Sequence, residues 1–264
     1  MSKETIGFIG VGLMGHGMAK NIVEKGYPLT VMGHRNRAPV EDLLKRGAKE
    51  AKSAKEIGAA SSIVFLCVTG SREVEAIVRG PDGLVAGLKP GSIIVDCSTS
   101  DPTSTMALAE ELKSHGITLV DAPLSRTPKE AWEGMLDTMV GATPEIFARL
   151  KPVLDTWAGR VIHIGNTGDG HRMKLLNNFI SMGYAALYAE ALTWPRKSVS
   201  RPTGLTASSV VVVWTPPSIK PSCATRWKAT GMRINSRFRM RIRICAIWRA
   251  WPMRLEWRTR WAMP

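Results

Sequence analysis

The stretch Gly10-Val11-Gly12-Leu13-Met14-Gly15 decides how the first part of this chain is organised. It follows the apolar run Ile6–Ile9 and leads into a helix-like stretch that begins at His16. A buried strand that ends in a glycine turn and continues as a helix presents free N–H groups to an anion, so the pattern predicts a pyrophosphate site. Such glycine spacing also arises by chance, and the interpretation depends on the rest of the chain. The predicted contacts are Gly10, Gly12, Leu13, Met14 and Gly15.

Apolar runs alternate with amphipathic stretches through residues 1–165, which predicts an α/β domain with a doubly wound parallel sheet. Ligands of such a sheet bind at the carboxyl ends of its strands. The predicted strands are Thr5–Ile9, Leu29–Met32, Ile63–Val68 and Ile93–Cys97, with weaker ones at Ile117–Val120 and Val161–Ile164. The predicted helices are Met14–Lys25, Val40–Arg46, Arg72–Val78 and Thr103–Ser114.

The end of the second predicted strand bears on the choice of nucleotide. Dinucleotide folds specific for NAD place Asp or Glu there, whereas this stretch is Gly33-His34-Arg35-Asn36-Arg37. A guanidinium group can bind a phosphate dianion through paired hydrogen bonds, so NADP is predicted in preference to NAD. Arg35 is the first choice for this contact and Arg37 the second, while a solvated basic turn is the alternative. The predicted contacts here are His34, Arg35 and Asn36.

Two further strand ends carry hydroxyl groups and small residues. They are Val68-Thr69-Gly70-Ser71 and Asp96-Cys97-Ser98-Thr99-Ser100. Loops of this composition suit a close approach to the nicotinamide ribose, although they equally suit capping of the following helices. The predicted contacts are Val68, Thr69, Ser98 and Thr99.

Four motifs in order make residues 1 to about 194 similar to the β-hydroxyacid dehydrogenase family, which includes 3-hydroxyisobutyrate dehydrogenase and tartronate semialdehyde reductase. They are GFIGVGLMGHGMAKNI from Gly7, DCST from Asp96, DAPLS from Asp121 and GHRMKLLNN from Gly170. The resemblance implies a Rossmann domain followed by an all-helical domain. It also implies that a lysine transfers a proton while the nicotinamide transfers a hydride.

The resemblance assigns the catalytic lysine to Lys174. Independently, Lys174 and Asn178 are four residues apart and share a helix face, so both can reach one substrate. A lysine ammonium beside a carbonyl oxygen can donate the proton that a forming alkoxide needs. Asn177 is predicted to assist, and His163 and His171 are predicted to be structural. Without the flanking motif, a lysine on a solvated helix face would be favoured.

The substrate loop departs from the family pattern. In Asp121-Ala122-Pro123-Leu124-Ser125-Arg126-Thr127-Pro128, Arg126 and Thr127 stand where the family has two glycines. This variant is similar to the sulfolactaldehyde reductase branch of the family. A guanidinium group can bind an acidic head group by paired hydrogen bonds, so a short aldehyde bearing a carboxylate or sulfonate, or the matching hydroxyacid, is predicted. The predicted substrate contacts are Ser125, Arg126, Thr127, Asn177 and Asn178.

The formal charge of +14 comes wholly from residues 195–264, which contain 15 of the 36 basic residues and one of the 22 acidic residues. Six of the nine tryptophans lie there too, and helical periodicity is lost. Three explanations compete: a nucleic-acid-binding segment, a membrane-surface or partner-binding arm, and translation in the wrong frame.

The genetic code favours the third explanation. Permitted codons for Ile242–Trp248, shifted by one base, encode Lys-Asp-Leu-Arg-Tyr-Leu, and the same shift turns Trp214–Pro264 into a sequence that resembles the family's C-terminal domain. We therefore expect a frameshift near Leu192–Trp194 and a poorly folded tail. Residues 1–165 are then predicted to be an NADP-binding Rossmann domain, 166–194 the interdomain helix and start of a truncated or scrambled all-α domain, and 195–264 an out-of-frame segment.

This organisation leaves two functional hypotheses. The first is an NADP-dependent 3-hydroxyacid dehydrogenase or aldehyde reductase. In the family, the C-terminal domain closes over the nicotinamide and forms most of the contact between subunits. That domain is not expected here, so oligomerisation would be lost. The second is an inactive dinucleotide-binding remnant whose basic tail binds polyanions non-specifically. No long apolar run or signal-like N-terminus occurs, and the four cysteines form no CxxC pair. A cytoplasmic protein with packed, reduced thiols, no metal, no membrane contact and no specific nucleic acid is predicted.

Overall fold

The structure is a computed structural model that describes residues 3–33 and 35–193, with side chains described up to residue 190. The described residues form nine strands, eight α-helices and a short 3-10 turn at Leu84–Ala86. The strands are β1 (Ile6–Ile9), β2 (Leu29–Met32), β3 (Lys49–Ala51), β4 (Ile63–Leu66), β5 (Ile93–Asp96), β6 (Thr118–Asp121), β7 (Leu124–Ser125), β8 (Leu136–Gly141) and β9 (Ala158–Gly165). The helices are α1 (Gly15–Glu24), α2 (Ala38–Lys45), α3 (Ala54–Ala60), α4 (Ser71–Arg79), α5 (Pro102–Lys113), α6 (Pro128–Glu133), α7 (Pro144–Leu154) and α8 (Asp169–Thr193).

One sheet runs through the described domain in the order β3-β2-β1-β4-β5-β6-β8-β7, with β9 paired to β8. The first six strands of this order are parallel, which is the order of a Rossmann sheet. The direction reverses at β8, which is antiparallel to β6 and β7. The chain order changes direction between β1 and β4, so the switch point lies beside the glycine loop after β1.

Helices cover both faces of the sheet because its strands are apolar on both sides. Phe8 and Phe65 stack on one face, with ring centroids 6.0 Å apart, and the fully buried Trp157 meets Phe65 edge-on. Helices α1, α2, α6 and α7 contribute to that core. Ile9, Val64 and other alternate strand residues point to the opposite core, which α3, α4 and α5 cover. The prediction of a doubly wound α/β sheet is therefore confirmed.

The predicted strands and helices correspond to observed elements, with ends that differ by at most three residues. The prediction omitted β3, α3, β7, α6, β8 and α7. Strand β3 has the sequence Lys-Glu-Ala with two exposed residues, so it lacks an apolar pattern that could have indicated a strand. Strands β7 and β8 enter the sheet by antiparallel pairing, which the repeated strand–helix alternation does not predict.

Helix α8 confirms the predicted long helix over Asn177–Leu192 and extends it to 25 residues. No helix in the described ranges is long and apolar enough to cross a membrane. Cys67 and Cys97 are free thiols, as predicted, and burial together with nearby Asp96 raises the pKa of Cys67 to about 12. The predicted frameshifted tail, residues 195–264, lies outside the described residues, as does the break expected at Trp194.

Candidate active site

The glycine loop lies at the carboxyl end of β1, and α1 begins at its last residue, Gly15. The preceding residue, Met14, makes no side-chain capping hydrogen bond, so the helix starts without a side chain over its N–H groups. Leu13 is 84% exposed, and Gly12 is exposed beside it. The loop just before α1 is therefore open to a ligand.

Different structural constraints explain why glycine stands at different positions of this loop. Gly10 has a φ of +98°, and a Cβ there would lie 2.2 Å from the carbonyl oxygen of Cys67. A Cβ on Gly15 would lie 2.1 Å from the carbonyl oxygen of Gly10. Gly12 differs, because a Cβ there would meet no atom within 4 Å in the described structure. Packing explains Gly10 and Gly15, whereas the open space at Gly12 fits the close approach of a dinucleotide pyrophosphate.

The second strand end contains an ion pair that the sequence interpretation missed. Arg37 donates from Nη2 to Oε2 of Glu50 at 2.9 Å, and the pair lies over Gly33. The stretch itself has no carboxylate, as its sequence indicates, but β3 pairs with β2 and brings Glu50 to it. Arg37, the second choice for a phosphate contact, is thus paired with Glu50. Arg35 is exposed.

Two other predicted contacts, Asn36 and His34, belong to the same stretch of sequence. Asn36 uses its side-chain oxygen to accept the N–H of Ala38 at 3.2 Å, and this bond starts α2. His34 lies outside the described residues. The exposed Arg35 stands between them at the carboxyl end of β2.

The third and fourth strand ends are joined through Ser98. Its buried hydroxyl accepts the N–H of Val68 at 3.1 Å, and its own N–H donates to Asp96. Ser98 therefore holds the two loops together rather than presenting a free hydroxyl. Thr69 is exposed and Thr99 is partly exposed, so these two threonines are the accessible hydroxyls of the predicted set.

Lys174 lies against the substrate loop. Its Nζ donates to the carbonyl oxygen of Leu124 at 2.6 Å, immediately before Ser125. Burial lowers the pKa of the Lys174 ammonium, because desolvation disfavours its charged form. Asn178 is half-buried one turn further along α8, and Asn177 is exposed. The structure thus brings the predicted lysine and the predicted loop together.

Asp121 positions the helix that carries Lys174, and the sequence interpretation gave it no role. Its two carboxylate oxygens each accept a backbone N–H at 2.7 Å, one from Gly168 and one from His171. The carboxylate is fully buried at the end of β6, and this burial raises its pKa despite the opposing effects of His171 and these hydrogen bonds. One buried acceptor thus joins the sheet to the start of α8.

His171 is buried, in agreement with the predicted structural role. Its Nδ1 lies 2.8 Å from the hydroxyl of Thr105, and its Nε2 lies 3.2 Å from the carbonyl oxygen of Ser98. These contacts link α8 to α5 and to the loop after β5. The ring thereby fixes the same helix that Asp121 holds through the backbone.

The substrate loop is strained at Arg126, the residue directly after β7. This residue has a φ of +87°, and it is the one residue other than glycine with positive φ among those described. Glycine adopts this conformation at little cost and arginine does not. Nε of Arg126 lies 3.0 Å from Oδ2 of Asp137 on β8, a partner that no motif indicated. The strain falls where the family pattern has glycine.

The neighbours of Arg126 have different accessibilities. Ser125 is half-buried at the end of β7. Thr127 was predicted to contact substrate, but its hydroxyl donates to Glu130, and the Glu130 carboxylate also accepts the N–H of Thr127 at 3.1 Å. This reciprocal capping of α6 occupies the Thr127 hydroxyl.

The two loop glycines provide a matched test of packing against ligand contact. We expect Gly10→Ala to lower the free energy of unfolding by about 1–3 kcal/mol, because it combines positive φ with a backbone clash. We expect Gly12→Ala to change it by less than about 0.5 kcal/mol but to weaken NADPH binding. Urea denaturation and nucleotide titration of both variants measure the two effects. Equal losses of stability would contradict this division.

The Asp121 clamp is tested by Asp121→Asn. The asparagine amide keeps one accepting oxygen, but its NH2 group replaces the other oxygen and faces a backbone N–H that then has no acceptor. We therefore expect the free energy of unfolding to fall by about 1–3 kcal/mol. The control is Asp155→Asn, which removes an exposed partner of Lys151 and is expected to cost under about 1 kcal/mol. Equal melting temperatures for the Asp121 variant and the wild type would show that the clamp is unimportant.

Comparisons with known proteins agree with this arrangement. Residues 5–165 match the model of the NAD binding domain of 6-phosphogluconate dehydrogenase. The chain is 37% identical over 190 residues to 2-(hydroxymethyl)glutarate dehydrogenase of Eubacterium barkeri, covering 71% of this chain and 62% of that protein. It is 35% identical over 187 residues to 3-hydroxyisobutyrate dehydrogenase of Pseudomonas aeruginosa, again covering 71% and 62%. The matched part thus spans under two thirds of these relatives' length.

A solved structure shows the same architecture. The 3-hydroxyisobutyrate dehydrogenase of Mycobacterium tuberculosis, determined with L-serine, superposes with a TM-score of 0.75 at 26% identity, covering 84% of this chain and 75% of that one. The family model covers more than half of the chain, and the two dehydrogenases each match 71% of it. The chain therefore belongs to the β-hydroxyacid dehydrogenase family.

Proposed function

We propose that this chain is an NADP-dependent oxidoreductase of the 3-hydroxyacid dehydrogenase type, acting on a small aldehyde or hydroxyacid with an acidic head group. Residues 1–165 would bind the nucleotide, and residues 166–194 would begin the helical domain. The observation that carries the proposal is the hydrogen bond from Lys174 Nζ to the carbonyl of Leu124. It supports a proton donor directly beside Ser125 and Arg126.

The chemistry assigned to the chain's own residues is proton transfer and orientation. The nicotinamide, when bound, supplies or accepts the hydride. Lys174 donates a proton to the substrate oxygen during reduction and removes it during oxidation. The lowered pKa of Lys174 supports this role, because its proton is released more readily than that of an exposed lysine. The acid group of the substrate is oriented by Ser125, Arg126 and Asn178.

Arg126 supports an acidic head group. An arginine held at positive φ, where glycine would be relaxed, is more easily explained by a functional need for its guanidinium than by stability. Its Nε faces Asp137, and the guanidinium retains further N–H donors that can bind a carboxylate or sulfonate in pairs. The side chain is 40% exposed, so a small substrate can reach it.

The preference for NADP depends on Arg35. The engagement of Arg37 by Glu50 leaves the exposed Arg35 as the guanidinium for a 2′-phosphate at the end of β2. Glu50 does not favour NAD in this arrangement, because both of its oxygens already accept from Arg37. Arg37 and Glu50 then shape the turn, and Arg35 makes the selective contact.

The activity is tested with the full chain, NADPH and short aldehydes that carry a carboxylate or a sulfonate. We expect aldehyde-dependent oxidation of NADPH, with a rate that falls as pH rises through the lowered pKa of Lys174. Lys174→Gln is expected to reduce kcat by roughly 10²- to 10⁴-fold at unchanged NADPH affinity. Failure to bind NADPH, or turnover unaffected by Lys174→Gln, would refute the proposal. Tight NADPH binding without turnover would favour the inactive remnant.

The nucleotide preference is tested by comparing Arg35→Gln with Arg37→Gln. Loss of a charged hydrogen-bond pair to phosphate costs about 1.5–3 kcal/mol, so we expect Arg35→Gln to raise the Kd for NADPH by roughly 10- to 150-fold. The Kd for NADH should not change, and Arg37→Gln should affect NADPH less because Arg37 faces Glu50. Equal weakening of both nucleotides by Arg35→Gln would contradict the assignment.

A further inference from the structure

The strained loop and strand β8 are joined through one pair of strand residues. Ser125 of β7 is the register partner of Asp137 of β8, which places Asp137 beside the chain just before Arg126. Oδ2 of Asp137 faces Nε of Arg126 at 3.0 Å. Oδ1 of Asp137 is buried and has no hydrogen-bond donor among the described residues. The carboxylate therefore acts on the guanidinium through one oxygen, beside the substrate loop.

The contact determines which part of Arg126 remains for a ligand. Because Nε is engaged, the two Nη nitrogens keep the end face of the guanidinium, which can hold two oxygens of an anion. Asp137 also offsets part of the charge of Arg126, and Glu130 adds a smaller negative contribution. The other cations nearby are Lys174, bonded to the carbonyl of Leu124, and the exposed Arg160, the register partner of Asp137 on β9.

Stability does not explain this arrangement. The side chains of Arg126 and Asp137 are 40% and 21% exposed, and ion pairs of such exposure contribute little to folding. The left-handed backbone at Arg126 is itself unfavourable. A relaxed glycine with an uncharged residue on β8 would remove the strain and the buried unpaired oxygen together. We therefore look for the reason for both features in the ligand that the substrate loop binds.

We propose that Asp137 is a specificity-determining residue, which holds Arg126 through Nε and adapts the loop to head groups with a single negative charge. An unpaired arginine favours a dianion over a monoanion, because attraction grows with ligand charge. The paired carboxylate repels the second charge of a phosphate from the far side of the guanidinium and offsets much of the attraction by Arg126. A carboxylate or sulfonate thus retains the paired hydrogen bonds, while a phosphate dianion gains little from its extra charge.

The inference rests on the proposed function of Arg126. Variants of Asp137 test the inference, and a variant of Arg126 tests the proposed function. The probes are propane-1-sulfonate and propyl phosphate at pH 8, where the second is a dianion, titrated by NMR into the full chain with NADPH. We expect the wild type to bind the phosphate no more than about threefold more tightly than the sulfonate. A charge roughly 6 Å away in a partly exposed site changes binding by roughly three- to tenfold, so Asp137→Asn should raise the phosphate-to-sulfonate affinity ratio by that factor.

Controls distinguish this effect from general changes in charge or folding. Asp155→Asn removes one carboxylate from the exposed pair with Lys151 and should leave the ratio unchanged. Asp137→Ser should behave like Asp137→Asn, and both effects should shrink at high salt, which a purely structural role would not produce. Circular dichroism and thermal melting verify that each variant is folded.

The possible results distinguish the role of Asp137 from that of Arg126. An unchanged ratio in folded Asp137→Asn and Asp137→Ser, with weaker binding of both probes by Arg126→Gly, would overturn the role of Asp137 and leave the acid-binding loop intact. If Arg126→Gly binds both probes like the wild type, or if the wild type binds neither, the acid-binding loop fails and the role of Asp137 fails with it.

Discussion

The two hydrogen bonds that Asp121 accepts are the constraint on which the site depends. The backbone N–H groups of Gly168 and His171, at the start of α8, donate to the two carboxylate oxygens. The carboxylate itself lies at the end of a central strand, β6. A buried carboxylate is costly unless donors surround it. This requirement determines where α8 begins relative to the sheet, and hence where Lys174 meets the carbonyl of Leu124, three residues after Asp121 in the chain.

Close backbone approach is the second constraint. Gly141 and Gly170 leave room for the Asp121 carboxylate, since a Cβ on either would come within 3 Å of it. Gly10 and Gly15 allow β1, β4 and α1 to meet at the switch point of the sheet. Gly12 is the exception, with open space instead of a neighbour. The loop therefore contains glycines that packing demands and one that a ligand explains.

Carboxylates brought in by the sheet pair with two arginines of this site, Arg37 and Arg126. Glu50 reaches Arg37 from β3, and Asp137 reaches Arg126 from β8. Each is far from its arginine in the chain or lies on a strand that the sequence pattern did not reveal. An arginine beside such a carboxylate is oriented and partly neutralised, so counting arginines at a strand end overstates the positive charge presented to a ligand.

The sequence by itself determined the α/β class, most strands and helices of the parallel part, the glycine loop and the placement of Lys174 on a helix with Asn178. These follow from local periodicity and from motifs whose residues are neighbours in the chain. Only the tertiary structure decided the antiparallel entry of β7 and β8, the buried clamp at Asp121 and the partners of Arg37 and Arg126. It also decided that Ser98 and Thr127 use their hydroxyls within the fold. Sheet pairing across chain separations produces these contacts, and no local pattern encodes which distant strand supplies a partner.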